Sequence, residues 1–236
     1  MTKRISSMCD MLMRHYRASF IAFWFVFTGI YLLLILWGAV RYEIFPSEGY
    51  MIMGGLWVLF IYLFYVGFFT AKISITGAPE ITFNRDEYYL AVLLFSLLFS
   101  CYNAILQTAA YLLFELRMVK ALRGIGEIYY FSFYGMERHT FVEAFLVHFT
   151  VALFIITASH VLGTFSYRWG KWFIFPALAV LLFALTQIRP EWWSSVLTIQ
   201  QNSSPVLLAL GLLAAAGVVS LIGWVTMISA PEKKYN

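Results

Sequence analysis

The chain has 236 residues, 62% of them hydrophobic and only 12% charged, with a formal net charge of +4. A soluble domain usually carries about 25% charge, and one core of this length leaves no room to hide so much apolar surface from water. The balance excludes a disordered chain, a collagen-like rod, a disulfide scaffold and a sizeable soluble catalytic domain, and points to an integral membrane protein.

Each membrane-spanning helix needs about 20 mostly apolar residues. Six stretches qualify: Ser19–Val40, Met51–Ala71, Tyr89–Leu116, Thr140–Phe165, Trp172–Ile188 and Val206–Ile228. The runs are continuously apolar, without the alternation of a membrane barrel, so the expected fold is all-α, a single six-helix transmembrane domain over residues 1–236. The first run has no small-residue cleavage site and reads as a retained anchor.

The head carries Lys3, Arg4, Arg14 and Arg17 against Asp10 alone, which argues for cytoplasmic termini. Lys72, Arg85, Arg168, Lys171, Lys233 and Lys234 join the same side, whereas Arg41, Arg117, Lys120, Arg123, Arg138 and Arg189 fall outside. The outer segment around Gly124 and Gly126 mixes basic and aromatic residues, as does the loop with Trp192 and Trp193, and both suit the headgroup layer. The positive charge therefore reads as membrane orientation. No basic stripe on a soluble surface suggests a nucleic-acid partner.

The connection Lys72–Tyr88 is the largest on the cytoplasmic side. Gly77 and Pro79 end the preceding helix, and Asn84 is placed to cap a new one, with Asp86 and Glu87 in its first turn. This is either a short polar helix on the membrane surface or a capped start to the third span.

Polar groups within the spans are costly in hydrocarbon and mark candidate function. On the third span Ser96, Ser100, Asn103, Gln107, Tyr111 and Glu115 share one face, and on the fourth His139, Glu143, Thr150, Thr157, His160 and Thr164 do so, with His148 pointing elsewhere. Two such stripes form either a water-accessible path or a hydrogen-bonded helix seam. Asn103, Gln107, Glu115, Glu143 and His160 are the candidates for either role. His139 and Glu143, four residues apart, lack a third convergent ligand, so an ion pair at the helix start is favoured over a metal site. The histidines do not face each other as haem ligands would. Small residues on the last span, with Gly211, Ala215 and Gly223 near one face, allow close packing within the chain or against another subunit.

A phosphate-binding Gly-x-x-x-x-Gly-Lys-[Ser/Thr] loop is missing, as are His-Glu-x-x-His and Gly-x-Ser-x-Gly. The chain is therefore not expected to be an enzyme on its own. The short basic head Arg14-His15-Tyr16-Arg17, the six-span layout, the stretch Asn84-Arg85-Asp86-Glu87-Tyr88-Tyr89 and the long third span resemble the permease subunits of type-2-class ATP-binding-cassette exporters, the small bacterial kind. Acids at Asp86 and Glu87 stand where such subunits more often carry a basic residue.

The resemblance implies a plasma-membrane exporter of a hydrophobic or amphipathic compound, a peptide among the candidates, driven by a separate cytoplasmic ATPase. It implies no cofactor in this chain, with ATP and magnesium on the ATPase, and a second permease copy or homologue as partner. The loop between spans two and three would dock on the ATPase through Glu80, Phe83, Asn84, Arg85, Asp86, Glu87 and Tyr88, with a smaller contact from Tyr167–Lys171. The alternative is a channel, sensor or accessory membrane subunit of another complex, or an unfamiliar intramembrane enzyme.

Overall fold

The protein is seen in a computed structural model that describes residues 2–44, 55–76, 85–110, 140–170 and 204–228. They form five helices: α1 (Thr2–Ile44), α2 (Gly55–Thr76), α3 (Arg85–Ala110), α4 (Phe141–Trp169) and α5 (Pro205–Ile228). Among the described residues α3, α4 and α5 are long and apolar enough to cross a membrane, and α2 contributes the shorter apolar stretch Val58–Ala71. The described residues are helical throughout and fit a membrane protein. The expected fifth span Trp172–Ile188 and the loop residues Glu80, Phe83 and Asn84 lie outside the described residues.

Local chemistry fixes the helix ends. Asp86 and Glu87 sit in the first turn of α3, where the helix dipole favours negative charge. The helix runs on without a break into the bilayer-length segment, so Arg85–Tyr88 belong to α3 and form no separate surface helix. Thr140 caps α4 in a full capping box, its hydroxyl accepting from the Glu143 amide while the Glu143 carboxylate accepts from the Thr140 amide at 2.8 Å. Glu143 is thus a capping group; its expected partner His139 lies outside the described residues. Gly170, at φ 88°, ends α4 in a backbone region that side chains disfavour. Pro205 opens α5, where a missing amide hydrogen costs nothing.

Helix α4 is central, packed against α2, α3 and α5, and α1 lies mainly on α3. Contacts along the helices give their directions. Tyr16 and Phe20 of α1 pack on Phe95 and Phe99 of α3, so these two run parallel. Tyr16 donates to the Val66 carbonyl and Phe23 stacks on Tyr62, which sets α2 antiparallel to α1. Thr108 meets His148 at one end of the α3–α4 pair, and Tyr88 meets the His160 ring near the other, so α4 is antiparallel to α3. Arg85 reaches Ile228 while Tyr89 donates to the Ser220 carbonyl, so α5 is antiparallel to α3 as well. Helices α4 and α5 therefore point the same way.

Two glycines allow α2 and α4 to touch backbone to backbone. A Cβ on Gly67 would fall onto the Ile156 carbonyl and the Ser159 hydroxyl, and one on Gly163 would lie 2.5 Å from the Phe68 carbonyl. In lipid, where burial supplies little drive, such close approach is a main source of helix association. On α5 the buried small residues are Ala209, Ala216 and Gly223, seven apart. Gly223 packs under Val161 and Tyr89, whereas Gly211 and Gly217 face open space. Of the small-residue face expected at Gly211, Ala215 and Gly223, Gly223 packs within the chain and Gly211 meets no neighbour among the described residues.

Candidate functional site

Two groups of polar residues stand out. The first is at the start of α3. Arg85 donates from Nη1 to the carbonyl oxygens of Ile228 at 2.8 Å and Met227 at 3.4 Å, closing the C-terminus of α5. Free carbonyls at a helix end attract cations, so the contact satisfies both partners. Asp86 Oδ1 accepts from the Trp224 indole at 3.1 Å. Glu87 lies 4.0 Å from Arg4 of α1. The buried Tyr88 hydroxyl donates to the Thr70 carbonyl of α2 at 3.2 Å. Four consecutive side chains thus bind α3 to three other helices.

His160 completes this junction from α4. It is buried, with the Tyr88 and Tyr89 rings each centred 6.4 Å away and the Gly67 backbone facing it. Neither ring nitrogen has a hydrogen bond of ordinary geometry among the described residues. Of the residues expected in a docking loop, Arg85, Asp86, Glu87 and Tyr88 are therefore engaged within the chain.

The second group is the α3–α4 seam. Ser96, Ser100, Asn103, Gln107 and Thr108 are all buried along α3. On α4 the buried Thr150, Thr157, Ser159 and Thr164 each donate to a carbonyl of their own helix, for example Thr157 to Leu153 at 2.8 Å. Such back-bonding hides a hydroxyl from lipid without any partner helix. Thr108 and His148 make a cross-helix hydrogen bond at 3.3 Å. Ser96, Ser100 and both amide atoms of Asn103 are buried without a hydrogen-bond partner among the described residues. The seam is closed, yet much of its polar capacity is unmet, which costs about 1–3 kcal/mol for each such group.

Asn103 and Gln107 thus lie together, whereas His160 belongs to the junction. Asn103 is fourteen residues beyond Tyr89 on α3, about 21 Å along the axis. Glu143 is at the α4 cap, and Glu115 lies outside the described residues. His148, read from the sequence as pointing away from the polar face, is buried against Thr108, because α4 is covered on several sides rather than one. Trp224, Ser220 and Thr70, partners of the α3 start, carry no pattern visible in the sequence. Gly67 and Gly163 do carry one: single glycines inside long aromatic or aliphatic runs.

Among the described residues no three His, Cys, Asp or Glu side chains converge as a metal site would need. Comparison with protein-family models, curated proteins and solved structures returns no match for the chain. The functional reading therefore rests on the residues themselves.

Proposed function

We propose that the chain is the membrane-spanning permease subunit of an ATP-binding-cassette exporter, moving a hydrophobic or amphipathic compound out of a bacterial cell. A separate ATPase holds ATP and magnesium, and a second permease completes the pathway. The observation that carries this reading is the junction at Arg85, Asp86, Glu87 and Tyr88. A push on the preceding connection, residues 77–84, is delivered through these four residues to α1, α2 and α5 together. A coupling element needs that property: a local displacement becomes a rigid-body shift between states of different cargo affinity.

The parallel course of α4 and α5 supports the six-span layout. The chain leaves α4 on the side where α5 ends and starts α5 on the other, so an odd number of crossings separates them. Span Trp172–Ile188 is the natural candidate. Cytoplasmic termini accord with the distribution of Lys and Arg.

The experiment is purification in mild detergent from the native host. Expected is a co-purifying ATPase whose retention falls on replacing Glu80 and Phe83 with alanine. Those positions separate partner contact from the internal junction better than Arg85 or Asp86. Full transport by the chain in vesicles lacking any ATPase overturns the proposal. The closed α3–α4 seam favours one second reading, an accessory membrane subunit; it predicts a different stable partner and no ATP-dependent transport.

A further inference from the structure

The outward side of α1 carries Lys3, Ser7, Asp10, Arg14 and Arg17, spaced by three or four residues and so aligned as one stripe, with Ser6 beside it. The opposite side, with Met8, Leu12 and Tyr16, is buried in the bundle. Lys3, Ser6, Ser7 and Asp10 line one surface hollow at the start of the helix. Asp10 also lines a second cavity, of about 370 Å³, together with Met13, Arg14, Arg17, Phe20, Phe99 and Tyr102. The two meet at Asp10. A polar groove at the start of α1 thus adjoins an aromatic-walled recess between α1 and α3.

The recess opens beside the apolar outer face of α3. Tyr16 and Phe20 pack on Phe95 and Phe99, ten and fourteen residues past Arg85, or about 15 and 21 Å along α3. Around it α3 presents Leu94, Leu97, Leu98 and Tyr102 outward, all apolar or aromatic. Exposed charge beside so apolar a surface is expensive unless it lies in the headgroup layer or meets a counter-charge. Arg14 is paired with Asp10 at 2.6 Å. Arg17 is exposed and lines the recess. Three cations against one carboxylate leave the groove positive, while Phe20, Phe99 and Tyr102 offer a surface for hydrocarbon.

From this juxtaposition we infer that the groove binds an anionic phospholipid of the adjacent leaflet, its phosphate on Arg17 and Arg14 and the start of its acyl chains on Phe20, Phe99 and Tyr102. Asp10 limits the affinity by holding Arg14. Basic side chains flanking an apolar surface are the chemistry that distinguishes an anionic headgroup from a zwitterionic one. This site goes beyond the proposed export role and stands without it, since no step depends on an ATPase.

The test uses the full chain in a non-ionic detergent. Phosphatidylglycerol, phosphatidylcholine with the same acyl chains, and glycerol 1-phosphate are titrated, and bound adducts are counted by native mass spectrometry. Expected is preferential retention of phosphatidylglycerol. Arg17→Gln weakens it about fivefold, the usual worth of one basic residue at an anionic surface, with phosphatidylcholine unchanged. Arg17→Lys keeps the preference, and Asp10→Asn tightens phosphatidylglycerol binding. The inference is overturned by equal retention of the two lipids, by an Arg17→Gln variant with wild-type preference, or by glycerol 1-phosphate binding as tightly as the lipid.

Discussion

At the scale of single residues, glycine positions separate sharply by what surrounds them. Gly67→Ala drives a methyl into Ile156 and Ser159, backbone included, so α2 and α4 must move apart. Overpacking of this kind costs about 1–3 kcal/mol, and a lowered midpoint in detergent thermal unfolding checks it. Gly217→Ala enters open space within α5 and is expected to gain about 0.5–1 kcal/mol from helix propensity alone. Equal midpoints for the two variants would refute the close α2–α4 contact. Cys9 gives a pH-dependent counterpart. Burial first, and the Asp10 carboxylate second, raise its thiol above the ordinary value of 9.0. The neutral thiol is the form favoured by folding, so its contribution is complete below the unfolded-chain pKa and disappears as pH rises through the folded one. Maleimide labelling, which requires thiolate, should therefore be slower in the folded protein than in the unfolded chain at about pH 8. Asp10→Asn should shift the onset of labelling toward lower pH.

Between elements, the clasp of α3 on α5 invites a double-mutant cycle. Trp224→Phe removes the indole donor and Asp86→Asn removes the charge of its acceptor, each expected to cost about 0.5–1 kcal/mol at this exposed site. Their effects on unfolding should be partly non-additive, since the charge-assisted part of the indole–carboxylate bond can be lost only once. Additive effects would mean that the contact contributes nothing. The sequence made one end of this clasp legible and hid the other. Asp86 and Glu87 after Asn84 announce a helix start by dipole and capping chemistry, but a lone tryptophan in an apolar run announces no partner. The polar stripes were legible as stripes, because a period of 3.6 is a local property. Their state was not: whether Thr157 bonds across the seam or back to Leu153 depends on a neighbour's position, which no local pattern encodes.

For the molecule as a whole, helix direction yields the sharpest test. With Cys9 and Cys101 replaced by serine, single cysteines at positions 140 and 204 should react with an impermeant thiol reagent from one side of the membrane. Cysteines at positions 168 and 228 should react from the other. Reaction of positions 140 and 228 from the same side would refute the arrangement. That the chain is helical and membrane-embedded was readable from composition, since continuous apolar runs of bilayer length admit few other folds. The centrality of α4 was not readable. Its apolar content resembles that of α5, yet α4 is covered by three helices while α5 turns Leu207, Leu210, Val218 and Leu221 outward. Hydrophobicity alone does not distinguish a surface made for lipid from one made for protein.

The clasp between α3 and α5 also bears on how the protein is made. Tyr89 and its acceptor Ser220 are 131 residues apart, and Arg85 and Ile228 are separated by 143. At an ordinary rate of 5–20 residues per second, Tyr89 leaves the ribosome roughly 7 to 26 s before the carbonyl it will bond. During that interval the charged start of α3 has no α5 to hold it, and the newborn protein must wait for its last described helix before the junction can lock.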